Sequence, residues 1–465
     1  MGFRNKVYVT AVIALTTLIS ILYALLLLKN QDMAIAIYVI SMCLLIIFIE
    51  PFIGALNYFL FLYIRPQEFT TAFQEIPIIL IVVVVTFAVM IARAVLDRKS
   101  MVNSPQNIFI IWIYGAVMFS QMAQMYFGGV IKTATDFLHI VLSYFFIVNL
   151  TDSEKKLKIS LYAIILLSIY LSIAGIVQFH MGSSFGVETV QAERRIRGLG
   201  IFGDPNDLAM ALLIAMPFLI LKIQSRTTNL KRFLMVCLLI VLLYAMFLTN
   251  SRGGMLGFMT LMGMIFIRKY GKSVGIALFL VGAAGLFALG PSRMEEISPH
   301  EASAYGRVES WAAGFAMFTS HPLFGVGKGF YTDYHPLVAH NSFIHCAAEL
   351  GMFGLYPWIA LIFLTLKNLF FVSQKIVREP SSDMKIMCNS LLYSMMMYVV
   401  TTFFLSRVYS ELLYIYVAFS AAYIRLYTDQ SPAKYKLMEH RDLIEFASVI
   451  VVGLLVFKVF LILYW

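Results

Sequence analysis

The apolar run MAIAIYVISMCLLIIFIEPFIGALNYFLFLYI occupies residues 33–64, and it decides how the rest of the chain is oriented. Asn57 and the pair Glu50-Pro51 are its only interruptions. The run forms either one long membrane span or two short spans that fold back at Glu50-Pro51. Because each span moves the following loop across the membrane, this choice sets the sidedness of everything downstream.

The composition of the chain requires lipid as a solvent. Of its 465 residues, 61% are hydrophobic and 13% are charged, which leaves too little polar surface to cover a soluble globule of this size. We therefore predict an all-α polytopic integral membrane protein without a soluble domain or internal repeat. Hydrophobic segments predict fifteen spans, near 7–28, 33–49, 51–64, 77–95, 107–126, 130–149, 157–178, 206–221, 232–249, 253–267, 273–290, 353–373, 384–404, 408–426 and 443–464.

The basic residues favour two spans in the 33–64 run. With two spans and a cytoplasmic N-terminus, the loops on the cytoplasmic side hold 22 of the 35 basic residues, against 11 on the opposite side. This distribution follows the positive-inside rule. Two long loops then lie on the extracytoplasmic side, at residues 179–205 and 291–340. The second mixes aromatic residues with glycine and histidine, and we expect it to form short helices over the membrane surface.

The chain is predicted to form a single transmembrane domain over residues 1–465. The first span, 7–28, is too long for a cleaved signal peptide and lacks a small-residue cleavage site, so we expect a retained anchor. The net charge of +10 is spread over short loops, which argues against nucleic acid as a partner. The four cysteines, Cys43, Cys237, Cys346 and Cys388, are scattered and show no metal or disulfide spacing.

Cationic residues gather on the predicted extracytoplasmic face. Guanidinium groups stay charged and bind phosphate oxygens through paired hydrogen bonds, and a histidine can take a proton from a hydroxyl near neutral pH. This combination suits an anionic lipid-linked substrate. The arginines are Arg194, Arg195, Arg197, Arg252, Arg293 and Arg307, and the histidines are His180, His300, His321, His335, His340 and His345.

Structural roles are the alternative for each of these residues. Arginines at span ends commonly extend toward the interface or bind helix C-termini. His340 could equally be a helix-entry residue beside a cap at Asn341 or Ser342. Glu349 follows His345 by four residues. At this spacing Glu349 could orient the histidine ring, or it could instead cap a helix. The clustering of the cations on the less basic face favours a functional site.

Two other sites are not supported by the sequence. His335, His340 and His345 recur at five-residue spacing, which turns about 140° per step on a helix, so they do not share a face for a metal. The segment Gly325-Val-Gly-Lys-Gly329 lacks the spacing of a phosphate-binding loop and is predicted to be a tight turn. We expect neither a metal nor a cofactor.

Three motifs occur in a characteristic order. They are Arg197-Gly-Leu-Gly-Ile-Phe-Gly-Asp-Pro-Asn206, then Ser251-Arg-Gly-Gly254, and then Arg307 to Trp311 leading into His321-Pro-Leu-Phe-Gly-Val-Gly327 and Ala339-His-Asn-Ser-Phe343. This order resembles the O-antigen ligase and O-antigen polymerase superfamily of bacterial membrane glycosyltransferases. The resemblance covers roughly residues 180–360, and the flanking spans agree only in hydropathy.

The resemblance implies a GT-C-like bundle of about 12–15 transmembrane helices in the bacterial inner membrane. It implies metal-independent transfer of a glycan from an undecaprenyl-diphosphate carrier at the periplasmic face. By resemblance, His340 is the catalytic residue, and Arg197 and Arg252 bind the diphosphate, with Arg195 as a substitute for Arg197. Supporting positions follow from the same motifs and from spacing: Arg307, Asn341, His345 and Glu349.

The acceptor is left open by these motifs. A ligase would transfer the glycan to a lipid A core, another lipid or a protein, whereas a polymerase would use a second lipid-linked glycan. The segment from Glu50-Pro51 to Glu68 is similar to ligase members, which favours a ligase. A transporter of the same lipid-linked glycan is less favoured, because the predicted spans carry little charge at mid-depth and show no repeated halves.

Overall fold

The computed structural model describes residues 31–68, 76–182, 195–198, 200–225, 227–289, 302–375, 382–430 and 437–464. These residues form α-helices joined by short connections, with no β-strand among them. The helices are α1 (Gln31–Ile49), α2 (Pro51–Ile64), α3 (Ile78–Leu96), α4 (Gln106–Met122), α5 (Phe127–Leu150), α6 (Glu154–Met181), α7 (Pro205–Gln224), α8 (Asn229–Leu248), α9 (Arg252–Tyr270), α10 (Lys272–Leu289), α11 (Ala302–Ser320), α12 (Tyr331–Tyr334), α13 (Ser342–Lys375), α14 (Ser382–Thr402), α15 (Glu411–Gln430) and α16 (His440–Tyr464). The all-α polytopic architecture is thereby confirmed.

The 33–64 run forms two helices. Glu50 has extended backbone angles (φ −143°, ψ 97°), and its carboxylate accepts a hydrogen bond from the Phe52 amide at 3.4 Å. Pro51 then occupies the first position of α2, where its missing N–H costs nothing. α2 ends at Arg65, whose backbone is left-handed (φ 50°). The chain therefore turns back at Glu50, as the charge distribution requires.

Side-chain contacts show that the loops lie in two groups, one at each end of the bundle. At one end, Arg93 donates to the carbonyl of Ile49 at 2.7 Å, and Lys156 lies 3.7 Å from Glu50. Lys158 and Lys222 both bind Asp383 at this end. These are the loops predicted to be cytoplasmic. Contacts at the other end involve residues in or beside the loops predicted to be extracytoplasmic: Gln121 to Lys328, Arg195 to Thr249, and Arg407 to Asp207.

Seven helices in the described residues are long and apolar enough to cross a membrane: α3, α5, α6, α7, α8, α13 and α16. The predicted span 7–28 lies outside the described residues. Each of the other fourteen predicted spans overlaps a helix, although α13 begins at Ser342, well before the predicted start at residue 353. In the described part of the second long loop, residues 302–340, α11 has 19 residues and α12 has four, so the prediction of short helices alone is wrong for this part.

Helix α7 is the centre of the bundle. It packs against α6, α8, α9 and α14, and every residue from Asp207 to Leu221 is buried. Pro217 interrupts its backbone hydrogen bonds, and the nearby carbonyl of Ile214 accepts from the hydroxyls of Ser394 and Tyr416 at 2.6 and 3.0 Å. Because α7 is held on all sides, its N-terminus is a fixed support for the residues around it.

The segment that precedes α12 forms hydrogen bonds with the backbone at a break in α13. At Gly351 the backbone leaves helical geometry (φ 59°, ψ −163°), which frees carbonyl and amide groups on both sides. The segment 321–329 supplies partners: Val326 and Gly327 donate to the carbonyls of Ala348 and Glu349 at 2.9 and 3.1 Å, and the Met352 amide donates to Pro322 at 2.8 Å. This pairing explains the glycines of the sequence HPLFGVG, since a Cβ at Gly325 would lie 2.3 Å from the Glu349 carbonyl carbon.

We expect Gly325→Ala to lower the thermal midpoint far more than Gly182→Ala. Both glycines have positive φ, but Gly182 is a left-handed helix C-cap where an added Cβ meets no atom within 4 Å. The left-handed backbone costs alanine about 1–2 kcal/mol at Gly182, and Gly325→Ala adds a collision with backbone, for a total above about 3 kcal/mol. Unfolding followed by fluorescence in detergent measures both. Equal midpoints would contradict the close packing at the α13 break.

Candidate functional site

The starts of α7 and α9 lie side by side. Asp204 caps α7 by accepting from the Asn206 amide at 2.7 Å, and Ser251 caps α9 by accepting from the Gly254 amide at 3.1 Å. The Ser251 hydroxyl also donates to Asn206 Oδ1 at 2.7 Å, which joins the two caps. Glycine at 254 permits this approach, because a Cβ there would lie 2.8 Å from Cβ of Ala209 on α7.

The arginine segment 195–198 lies across this junction. Arg195 donates from Nε to the Thr249 carbonyl at 2.8 Å and from Nη2 to Asn206 Oδ1 at 3.3 Å. The Ile196 amide donates to the Leu248 carbonyl at 3.2 Å, and the Ile196 side chain is fully buried. Arg195 therefore fastens the segment to both helices. The structure brings Arg195, Arg197 and Arg252 to the same end of α8, while Arg194 and Arg293 lie outside the described residues.

The start of α13 is tied to the start of α7 through Arg407. Asn341 caps α13 by accepting from the amides of Phe343 and Ile344 at 2.9 and 3.2 Å. Ser342 donates to the Leu405 carbonyl at 2.6 Å and accepts from the Arg407 amide at 2.8 Å. The Arg407 guanidinium forms a paired ion contact with Asp207, in the first turn of α7.

Three helix N-termini thus converge at one end of the bundle. The first turn of any helix carries amide groups without helical partners and the positive end of the helix dipole. Helix starts are therefore favourable sites for phosphate groups, and arginine beside them strengthens the preference. The arrangement is suited to bind an anion larger than a single phosphate.

His340 is placed beside these helix starts by α11. It directly precedes the α13 cap and has a left-handed backbone (φ 46°), which is uncommon for a non-glycine residue. Trp311 of α11 donates from Nε1 to the Ala339 carbonyl at 2.7 Å, and Ser310 donates to the Leu337 and Val338 carbonyls at 3.1 Å. The backbone on the N-terminal side of His340 is thereby fixed.

The surroundings of His340 keep its imidazole neutral. Burial is the largest influence, and it lowers the pKa of His340. The positive charge of Arg307 lowers it further, Asp204 acts in the opposite direction, and Arg407 and His345 also lower it. At neutral pH the imidazole is therefore deprotonated and can accept a proton. Arg307, Asp204 and Arg407 are therefore near enough to His340 for their charges to change its pKa.

Residues 235–359 match the family model described as O-antigen ligase. The resemblance to the O-antigen ligase and polymerase superfamily is confirmed over this segment, and the match supports an activity of the ligase or polymerase type. The matched residues run from within α8 to beyond the break in α13, and include Arg252, Arg307 and His340. Arg195 and Arg197 precede the matched residues. A comparison with curated proteins gives no match.

The segment that matches the family model contains a buried carboxylate, Glu349. His345 Nε2 lies 3.1 Å from Glu349 Oε1, the contact that their four-residue spacing suggests. The same oxygen accepts from the Gly329 amide at 2.9 Å, and Oε2 accepts from the Tyr409 hydroxyl at 2.8 Å. Glu349 therefore orients His345 and holds the 321–329 segment against α13.

The sequence did not reveal the roles of two residues at this end of the bundle. Arg407 lies four residues before Glu411, a spacing that suggests a helical ion pair, but it binds Asp207, and Glu411 lies 3.3 Å from His139. The signal was available, because Asp207 is a carboxylate inside an apolar helix, and such a group requires a partner. Lys328 does lie in a turn, as predicted for Gly325–Gly329, but its side-chain surroundings were not predicted. Its half-buried ammonium lies 5.2 Å from the Tyr409 ring centre, and burial lowers the pKa of Lys328.

The remaining histidines do not join the candidate site. His180 contacts Tyr244 at 2.7 Å, and His321 and His335 make local contacts with Ser320 and Leu337. His300 lies outside the described residues. Of the five described histidines in this set, only His340 and His345 lie by the helix starts. Within the described residues, no group of three histidine, cysteine or acidic side chains is arranged to hold a metal ion.

Removing one partner of the Asp207–Arg407 pair should destabilise the protein strongly. Arg407→Gln leaves a carboxylate that is only 3% exposed without its cation, at a cost of about 3–5 kcal/mol. The double variant Asp207→Asn/Arg407→Gln removes both charges and should recover a large part of the loss. Arg441→Gln, which breaks the exposed pair with Glu445, should change the thermal midpoint little. A double variant as unstable as Arg407→Gln alone would show that the charge pairing is unimportant.

Proposed function

We propose that the protein transfers a glycan from an undecaprenyl-diphosphate carrier to an acceptor hydroxyl at the periplasmic face of the bacterial inner membrane. The observation that carries the proposal is a neutral, half-buried histidine beside three converging helix N-termini and several arginines. The positive-inside rule supports the orientation, since the opposite end of the bundle holds most of the basic residues. No metal is required by the proposed reaction.

The reaction needs two things from the protein. The acceptor oxygen attacks the anomeric carbon of the donor sugar as the bond from that carbon to the diphosphate oxygen breaks. Negative charge then develops on the diphosphate, and the hydroxyl proton must leave the acceptor. In our proposal the helix starts and arginines stabilise the leaving diphosphate, and His340 takes the proton.

We assign roles from the contacts. Arg197 and Arg252 bind the diphosphate, because Arg252 is the first residue of α9 and the segment carrying Arg197 lies beside it. Arg195 contributes charge, but its hydrogen bonds to Thr249 and Asn206 make it first a positioning residue. Arg307 keeps His340 neutral. Supporting residues are Asn341, as the cap of α13, and His345 with Glu349, which fix the first turns of that helix.

A polymerase that adds glycan to a second lipid-linked glycan is the close alternative, since it requires the same groups. The likeness of the segment after Glu50-Pro51 to ligase members supports a ligase, with a lipid A core, another lipid or a protein as acceptor. A transporter of the lipid-linked glycan is less well supported, because the predicted spans carry little charge at mid-depth and show no repeated halves.

His340→Ala should lower the transfer rate roughly 10²- to 10⁴-fold, as expected for loss of a general base. The assay supplies purified protein with a lipid-diphosphate glycan and candidate acceptors, and His321→Ala, in a turn outside the site, is the matched control. Full turnover by His340→Ala would refute the assignment of the base. Product length separates the two activities: single transfer to a foreign acceptor indicates a ligase, and a ladder of lengthening lipid-linked glycans indicates a polymerase.

Arg307→Gln should move the acidic limb of the pH–rate profile to higher pH. Rates should fall as pH drops through the lowered pKa of His340, because protonation removes the base. Loss of the Arg307 charge raises that pKa toward its ordinary value of about 6.5, so the fall begins at higher pH. Arg307→Lys keeps the charge and should keep the profile. An acidic limb that stays in place in Arg307→Gln would count against His340 as the titrating group.

A further inference from the structure

A cavity opens at the end of the bundle opposite the candidate site. It has a volume of about 560 Å³ and lies between the end of α7, the end of α9 and the start of α14. The opposite ends of α7 and α9 carry Asp204 and Ser251, and the loop after α14 carries Arg407. The cavity is therefore built by the same three helices that support the candidate site, some twenty residues away along each helix.

The cavity is positively charged. Three of its ten lining residues, Arg268, Lys269 and Lys385, are cations, and none of the ten is acidic. Asp383 lies two residues before Lys385, but Lys158 and Lys222 already bind it on both carboxylate oxygens. The Arg268 guanidinium reaches into the cavity and donates to the Tyr393 hydroxyl at 3.4 Å. The site therefore suits an anion.

The walls of the cavity favour an anion with an apolar part. Leu221, Ile265 and Ile386 are buried side chains that line it below the cations. Gln224, Ser225 and Asn389 add hydrogen-bonding groups near the charged rim. Ile267, next to Arg268, is exposed on the outer surface of α9, where lipid chains would lie against it. Basic pockets between membrane helices with this layering bind phospholipid head groups.

We propose that this cavity binds the head group of an anionic phospholipid. The phosphate lies among Arg268, Lys269 and Lys385, and the glycerol and the first acyl carbons pack on Leu221, Ile265 and Ile386. The bound lipid bridges α7, α9 and α14 at the end away from the candidate site. The site is independent of the glycan-transfer proposal, and its test uses no transfer assay.

Native mass spectrometry of the purified full-length protein tests this binding. The protein in non-ionic detergent is mixed with phosphatidylglycerol or with phosphatidylcholine of matched acyl chains. The cavity variant is Arg268→Gln/Lys269→Gln/Lys385→Gln, and the matched control is Lys99→Gln/Lys155→Gln/Lys231→Gln, which removes three exposed charges from the same end of the bundle. The wild type and the control should bind phosphatidylglycerol roughly 10- to 100-fold more tightly than phosphatidylcholine, and the cavity variant should lose this preference.

Three outcomes would overturn the proposal. Unchanged phosphatidylglycerol binding by the cavity variant would show that the lipid binds elsewhere. Equal loss in the control would show a diffuse effect of charge. Displacement of the lipid by excess inorganic phosphate would indicate a site for a soluble anion. Arg268→Gln against Lys231→Gln repeats the comparison with single changes, with an expected loss of about 5-fold, if the triple variant does not fold.

Discussion

The ion pair between Asp207 and Arg407 is the contact on which the candidate site depends. Asp207 lies in the first turn of α7, the helix that is buried on every side, and Arg407 belongs to the loop between α14 and α15. The backbone amide of Arg407 also binds Ser342 at the start of α13, so one residue fixes two helix starts relative to each other. Ser251 and Asn206 add the start of α9. A buried carboxylate and a guanidinium are costly to desolvate. In return, this pair and the Ser251–Asn206 hydrogen bond hold three positive helix ends in one place.

The break in α13 also helps to position residues of the candidate site. A continuous helix would carry the backbone past Glu349 without freeing any peptide group. The break at Gly351 instead lets residues 322–327 pair with α13, which brings the Gly329 amide to the Glu349 carboxylate. Glu349 then holds His345, one of the residues that lower the pKa of His340. Rigidity therefore extends from the transmembrane helix to the histidine through backbone pairing, and the glycines at 325 and 351 are the residues that permit the close contact.

Much of this could be predicted from the sequence, because hydropathy and proline geometry are local signals. Apolar runs predicted the turn at Glu50-Pro51 and fourteen of the helices. The order of the motifs was sufficient to predict the resemblance to the superfamily. Tertiary pairing was not accessible in the same way. Arg407 lies four residues before Glu411, which favours a helical ion pair locally, but the buried carboxylate of Asp207 is two hundred residues distant and binds it instead. The glycines around Lys328 indicated a turn but not its partner, since the segment makes backbone contacts with a helix break that hydropathy does not detect.

In our proposal, His340 and the helix starts of α7, α9 and α13 form one reaction centre. The most direct measurement is a cryo-EM structure of the protein in nanodiscs with undecaprenyl diphosphate added. We expect diphosphate density against the start of α9, in contact with Arg252 and Arg197 and within reach of His340. Density for the diphosphate at the opposite end of the bundle, among Arg268, Lys269 and Lys385, or at any place remote from His340, would contradict the account.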